Sequence, residues 1–583
     1  GDENCMAGAA VESVVAASDT AKDVQKIMLL VVPIILLILL ITTNSWFEPV
    51  LFMITIGIAI LINMGTNLIF GTVSFVTNAA GPVLQLAVSM DYSIFLLHRF
   101  EENRNLGLKA EEAMCAAVKQ SVGSILSSGL TTVTGFLALV FMAFQIGPDL
   151  GWAMSKAIVF SLISVLCFLP ALAITTYKLI DRTRHRPFVP GFGGFARFVM
   201  KARIPLLILT ILVVPVLWLA QNQNSFYYGG SEVYTSEATQ LGRDTKAIRD
   251  LYGTSNPVVL MVPRGDLEKE SAMNAELLEL DYVTSVISYA NSVGNSIPSD
   301  FVPSDTLSSL YSANYSRFIL TLDTEERETG WDDKVNAVRN IGEKYYGNEI
   351  QYAGDLVSTE DLKTTITQDN LKVNLLAVGF VICILLVNFK SLSLPLLLTL
   401  VIEASIWINL GLPYFSGTSL FYIGYLIIST VQLGATIDYA ILFTDRYLEF
   451  RSKMPKKEAA GQTLKACTLS ILTSSLVLTL AGTILGLIST NRVLSQLGTL
   501  IGRGAVLSFV LVIFVLPSLL ILFDGLIRKT TLRADFYGTG KQNTGPTGGA
   551  GPGSGGTDAA DPGGYDEESA EEKNALTGGA DYL

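Results

Sequence analysis

Two Asp-Tyr pairs stand inside long apolar stretches: Asp91-Tyr92 in QLAVSMDYSIFLLHRF (85–100) and Asp438-Tyr439 in QLGATIDYAILFTDRY (432–447), 347 residues apart. An ionised Asp at mid-membrane costs at least ~2.5–3.5 kcal/mol, so such residues face a bundle interior or water and do work. No Lys or Arg lies near either Asp within its stretch. Two carboxylates brought together in a low-dielectric bundle cannot both stay ionised, which is the property a proton carrier needs. Tyr92 and Tyr439 are placed to hydrogen-bond across to the opposite Asp. The plainer alternative is a neutral Asp–Tyr contact that only holds helices together.

Other polar residues are secondary. Glu403 lies in an apolar stretch whose first-half counterpart is Gly57, so it reads equally as a relay or as a structural acid. Arg99 and Arg446 follow each Asp by eight residues and are expected to snorkel to the membrane edge, a proton-exit role being the lesser reading. Ser128, Thr131, Ser474 and Ser475 either line a water path or serve helix packing, the latter preferred. Pro170 and Pro517 are expected to kink helices, and Gly498 and Gly502 to form a small-residue packing face. His98 and His185 have no partner at metal-ligand spacing and read as membrane-edge residues, and the five cysteines are widely scattered. No nucleophile–base or metal set emerges, so no enzyme, metal or cofactor is expected.

The elements that must position these residues follow from composition. Of 583 residues 50% are hydrophobic and 16% charged, with mean hydropathy +0.46; a soluble domain carries about a quarter charged residues. Eleven apolar stretches long enough to span a bilayer lie at about 27–43, 49–70, 73–97, 121–146, 152–177, 204–220, 371–389, 392–412, 420–444, 464–489 and 493–523. The formal charge of −12 is uneven: 221–368 carries 11 basic and 23 acidic residues, 534–583 carries 2 and 9, and the remainder is net +7. Nothing points to nucleic acid.

Lys and Arg crowd the stretches 99–119, 178–203, 446–465 and 528–533, while alternate loops are nearly bare. The positive-inside rule makes the basic loops and the C-terminus cytoplasmic and 221–368 external. That external segment alternates strand-like runs (257–262, 283–289, 317–323, 349–353) with helical ones, the pattern of a ferredoxin-like α/β domain. The sequon Asn314-Tyr315-Ser316 is read as accidental. The stretch 100–118 is amphipathic and predicts an interfacial helix. The Gly-rich acidic stretch 531–583 cannot bury a core and is expected to be disordered.

The chain repeats itself. LGWAMSKAIVFSLISVLCFLP (150–170) matches LGTLIGRGAVLSFVLVIFVLP (497–517) at an offset of 347, SILSSGL (124–130) matches SILTSSL (470–476), and Asp23 and Lys26 match Asp369 and Lys372 at 346. Gly8 aligns with Gly354, so one span and one outer domain are expected upstream of residue 1 in a pseudo-twofold, twelve-span protein. The expected order is the end of a first porter domain (1–25), a five-span half (26–180), a cytoplasmic linker (181–203), a span (204–220), an external α/β porter domain (221–368), a second five-span half (369–530) and the tail (531–583).

This doubled half, with an outer domain after its first span and an Asp-Tyr pair in its fourth, resembles the resistance–nodulation–division superfamily and most closely its MmpL-type (MMPL) branch. The resemblance covers residues 8–530 and implies a proton-driven exporter of lipids, amphiphiles or hydrophobic toxicants in a bacterial plasma membrane. Its partners would be such a substrate, protons and membrane lipids, and a homo-oligomer is compatible with it. The sterol-sensing group is similar through Gly434-Ala435-Thr436-Ile437-Asp438, although Ala87 replaces that glycine in the first half. A lipid-sensing regulator and a translocation-assisting scaffold are therefore the alternatives.

Overall fold

The computed structural model describes residues 5–532 and 536, apart from 187, 190, 230–232, 234–236, 238, 253–255, 295, 298–300, 327 and 329. Gly1–Gly538 form one compact unit. Thr539–Leu583, a second unit that holds most of the expected disordered tail, lies outside the described residues.

Eleven helices among the described residues are long and apolar enough to cross a membrane. The first half contains α1 (Ala9–Thr42), α2 (Glu48–Thr66), α3 (Phe75–Asn105), α4 (Ala110–Ala138) and α5 (Ile146–Ile163), which runs through a π turn into α6 (Leu169–Arg182). The π turn sits just before Pro170, which deprives the helix of a backbone donor. After α7 (Gly193–Gln221) come α8 (Gln240–Tyr252), α9 (Leu267–Leu278) and α10 (Trp331–Tyr346) of the α/β domain, then α11 (Asp355–Phe389), α12 (Ser393–Ser416), α13 (Tyr422–Arg451), α14 (Lys456–Ile488) and α15 (Arg492–Phe514). Near Pro517, the helix Leu516–Leu522 starts afresh.

The most and least buried of these helices differ in polarity. The apolar windows of α3 and α13 have the lower mean hydropathies, 1.4 and 1.6, yet are 83% and 94% buried; those of α7 and α11, at 2.4 and 2.3, are 17% and 22% buried. Polar side chains pull α3 and α13 to the centre, where partners exist, while α7 and α11 stay at the rim; hydropathy alone does not decide it, since the most apolar window, in Arg492–Leu522 at 2.9, is 61% buried.

In the α/β domain, β1 (Asn256–Pro263), β2 (Val283–Ile287), β3 (Tyr315–Leu322) and β4 (Gln351–Ala353) form one antiparallel sheet in the order β2-β3-β1-β4. The helices Leu267–Leu278 and Trp331–Tyr346 link β1 to β2 and β3 to β4, which is the split βαβ arrangement. Val258, Leu260, Phe318, Leu320, Val335 and Val338 build its core. The parallel pairing of Phe226–Tyr227 with Leu420–Phe421 ties the chain leaving α7 to the start of α13, which marks this as the α/β-domain end of the bundle.

The repeat extends to backbone conformation. Gly8 (φ 113°, ψ 162°) opens α1 and Gly354 (φ 135°, ψ 158°) opens α11, a region only glycine occupies readily. A Cβ on Gly354 would also lie 2.5 Å from the Pro257 carbonyl oxygen. Gly482, Gly498 and Gly502 let α14 and α15 touch backbone to backbone, since a Cβ on Gly482 would lie 2.6 Å from the Gly502 nitrogen.

One expectation is corrected. Residues 100–118 form no separate interfacial helix: α3 runs on to Asn105, the chain turns at Gly107 and α4 opens at Ala110. The amphipathic pattern belongs to the ends, remote from the α/β domain, of two spanning helices, whose apolar side (Phe100, Ala110, Ala113, Met114, Ala117) packs into the bundle core.

Candidate functional site

Both Asp-Tyr pairs face a single cavity of about 40 Å³ between α3, α4, α13 and α14. Asp91, Tyr92, Asp438 and Tyr439 line it together with the hydroxyls of Ser124, Ser128, Ser470 and Ser474. That volume admits a few waters. Each carboxyl is served from the other half. Ser474 of α14 donates to Asp91 Oδ2, and Thr132 Oγ1 of α4 lies 3.5 Å from Asp438 Oδ2 while donating to the Gly434 carbonyl at 2.8 Å. Tyr92 OH is 3.2 Å from Thr132 Oγ1.

The remaining oxygens, Asp91 Oδ1 and Asp438 Oδ1, are buried with no hydrogen-bond partner among the described residues, as is Tyr439 OH. An ionised oxygen so placed is costly, whereas a neutral carboxyl tolerates it. Each tyrosine thus shares one cavity with the Asp of the opposite half.

Small side chains make this crossing possible. On α4, a Cβ at Gly135 would lie 3.0 Å from the Gly434 Cα. Ser128 and Ser474 line the cavity. Thr131 and Ser475 do not; their hydroxyls go to the carbonyls of Ser128 at 2.6 Å and Ala505 at 3.1 Å. Glu403 is 7% exposed, with Oε1 unpartnered among the described residues, and lies outside this cavity on α12.

At the end of the bundle opposite the α/β domain, the arginines do something other than snorkel. Arg99 pairs with Glu102 at 3.2 Å and Glu449 at 3.2 Å, and Arg446 with Glu102 at 2.7 Å and Glu449 at 2.9 Å. Both residue types recur at an offset of 347, so the quartet is a reciprocal clamp between α3 and α13. The guanidinium groups turn inward because carboxylates there satisfy several donors each, which the membrane edge does not.

The MMPL family model matches residues 6–195 and 233–533. The chain belongs to the MMPL family. It is similar to the membrane protein YdfJ of Bacillus subtilis, at 22% identity over 513 residues, 82% of this chain and 64% of that protein. It is also similar to the siderophore exporter MmpL5 of Mycobacterium tuberculosis, at 30% identity over 115 residues, 20% of this chain and 12% of that one. In fold it resembles the crystal structure of SecDF, a translocon-associated membrane protein from Thermus thermophilus, with a TM-score of 0.57 and 16% identity over 87% of this chain and 63% of SecDF. The alignments thus span under two thirds of each of these proteins.

This MMPL chain holds a second symmetric feature that the sequence reading passed over. Lys156 on α5 donates to the Asn63 carbonyl at 3.1 Å and Asn67 Oδ1 at 2.7 Å, and Arg503 on α15 donates to Asn409 Oδ1 and its carbonyl, each at 2.7 Å. Asn63 bonds Gln85 at 3.0 Å and Asn409 bonds Gln432 at 2.8 Å. Gln85 and Gln432 stand six residues, under two turns, before each Asp on the side of the α/β domain. The signal was available: Lys156 and Arg503 occupy matched positions in the 150–170 and 497–517 repeat.

Proposed function

We propose that this MMPL protein is a membrane transporter that exports lipids, amphiphiles or hydrophobic compounds across the plasma membrane, driven by protons exchanged at Asp91 and Asp438. The observation that carries the reading is one cavity shared by both carboxyls, each with a buried oxygen that lacks a partner among the described residues. Tyr92, Tyr439 and the four serine hydroxyls supply the hydrogen-bond path. Protonation removes the cost of burying two like charges and lets α3 and α13 repack; deprotonation through water at the basic, cytoplasmic end reverses it. Rocking of one half against the other carries that change to the outer domain.

The test uses cells expressing the complete protein, loaded with ethidium or a fluorescent long-chain lipid. Asp91→Asn and Asp438→Asn are expected to abolish export at normal expression, since Asn is isosteric and cannot carry the proton. Wild-type export by either variant, still sensitive to a protonophore, would place the proton route elsewhere, with Glu403 the next residue to examine. A second reading, a protein assisting polypeptide translocation, is favoured by the likeness in fold to SecDF; it predicts a stable protein partner and no dye or lipid phenotype.

A further inference from the structure

The carboxyl cavity has two inner corners, one in each half, and they differ. At one corner, Ser124 of α4 lines the cavity and donates to Asp445 Oδ2 at 2.5 Å. Asp445 lies seven residues, about two helical turns, beyond Asp438 toward the inner end. Its charged neighbours are Arg99 from α3 and Glu449 from its own helix. Both belong to the quartet with Glu102 and Arg446. The quartet in turn lines a wide, open inner vestibule with Asn103 and Gln120.

At the other corner, the repeat puts Ser470 in the place of Ser124 and His98 in the place of Asp445. Ser470 lines the cavity too, but no hydrogen bond joins it to His98 among the described residues. His98 faces a second pocket of about 50 Å³ with Glu48, Glu101 and Thr473, and Ser470 and Ile94 line both that pocket and the carboxyl cavity, so what this corner lacks among the described residues is the serine–acid hydrogen bond. The two halves are therefore alike at the carboxyl pair and unlike one step below it.

We propose that Asp445 is a third proton-carrying carboxyl, and that protons pass between the Asp91/Asp438 cavity and the inner vestibule through Ser124 and Asp445 rather than past His98. The inference rests on the proton-coupled reading above and names its inner route. In the outward-to-inward step, the O–H bond of Ser124 that points at Asp445 breaks as a new O–H bond forms on Asp445 Oδ2. Ser124 Oγ takes a replacement proton from the cavity, and Asp445 releases its proton to vestibule water beside Glu449. No net charge is left on the serine. The quartet acts as the gate, because Arg99 is held by Glu102 and Glu449 while Asp445 waits above it.

The experiment is a rapid pH jump on the purified full chain in detergent, followed by time-resolved infrared spectroscopy of the carboxyl bands. Asp438→Asn should remove the equilibrium titration of the pair, and its failure to do so would defeat the proton-coupled reading itself. Asp445→Asn should keep that equilibrium amplitude and slow its approach about tenfold or more, as expected for loss of a positioned acid–base group. Asp445→Glu should restore the rate. Ser124→Ala should slow it in the same sense, which keeps the test available if Asp445→Asn folds poorly. His98→Gln should leave the rate unchanged. A wild-type rate in both Asp445→Asn and Ser124→Ala, or slowing confined to His98→Gln, would overturn the proposal.

Discussion

At the residue scale, the carboxyls and the tyrosines beside them are not equivalent. In the proposed cycle Asp438 and Asp91 change charge, whereas Tyr92 and Tyr439 pass or hold a hydrogen bond. Tyr92 has Thr132 at 3.2 Å, while Tyr439 OH is buried without a hydrogen-bond partner among the described residues. Tyr439→Phe therefore removes no bond present in the structure and should reduce export by less than the ~1 kcal/mol of a single neutral hydrogen bond. Tyr92→Phe should cost more, because Thr132, which reaches across to Gly434 and Asp438, loses its hydroxyl partner on α3. Initial rates of dye export, normalised to protein in the membrane, decide the order; equal loss in both variants would contradict it.

At the element scale, the helix Leu267–Leu278 packs on the sheet through Glu270, a carboxyl with 0% exposure. Ser316 of β3 donates to its Oε2 at 2.8 Å, while Oε1 has no partner among the described residues. Burial raises its pKa above the ordinary Glu value, against the lowering effects of Ser316, Tyr311 and Arg264. A raised folded-state value means that the folded domain binds the proton more tightly than the unfolded chain. The stability it contributes is full below the unfolded pKa of 4.5 and is lost as pH rises through the folded value. Glu270→Gln keeps an acceptor for Ser316 and carries no charge. It should raise the thermal midpoint of the α/β domain at pH 7, and the gain should shrink toward pH 4. A gain that grew on acidification would reverse the sign of the argument.

At the scale of the whole molecule, the halves are bracketed by a crossed pair of carboxylates. Asp23 of α1 accepts from the backbone and hydroxyl of Thr490, in the α14–α15 turn, at 2.7 and 2.8 Å. Asp369 of α11 accepts from the Ala143 backbone, in the α4–α5 turn, at 2.6 Å. Each half thus holds a turn of the other through the helix adjoining its outer end. Charged hydrogen bonds are worth about 1.5–3 kcal/mol, so Asp369→Ala should lower the thermal midpoint in detergent and Asp23→Ala, losing two bonds, should lower it further. Asp369→Asn and Asp23→Asn keep an acceptor and should recover most of the loss; no difference between Ala and Asn would remove the bracket from the account.

Much of this was legible in residue order. Period and composition determine where apolar helices run, because a backbone in lipid must satisfy its own hydrogen bonds. The 347-residue offset pairs Asp91 with Asp438 before any contact is known. Three things were decided only by the folded bundle. The arginines turned inward because α3 and α13 meet at their inner ends and present Glu102 and Glu449. The amphipathic 100–118 stretch became the ends of two spanning helices because its apolar face packs in the bundle core. Ser124 was joined to Asp445, 321 residues away, by the crossing of α4 and α13. A one-dimensional pattern carries the period of an element and the symmetry of a repeat, but which hydroxyl meets which carboxyl depends on where helices cross, and that is set by packing at glycines such as Gly135 and Gly434.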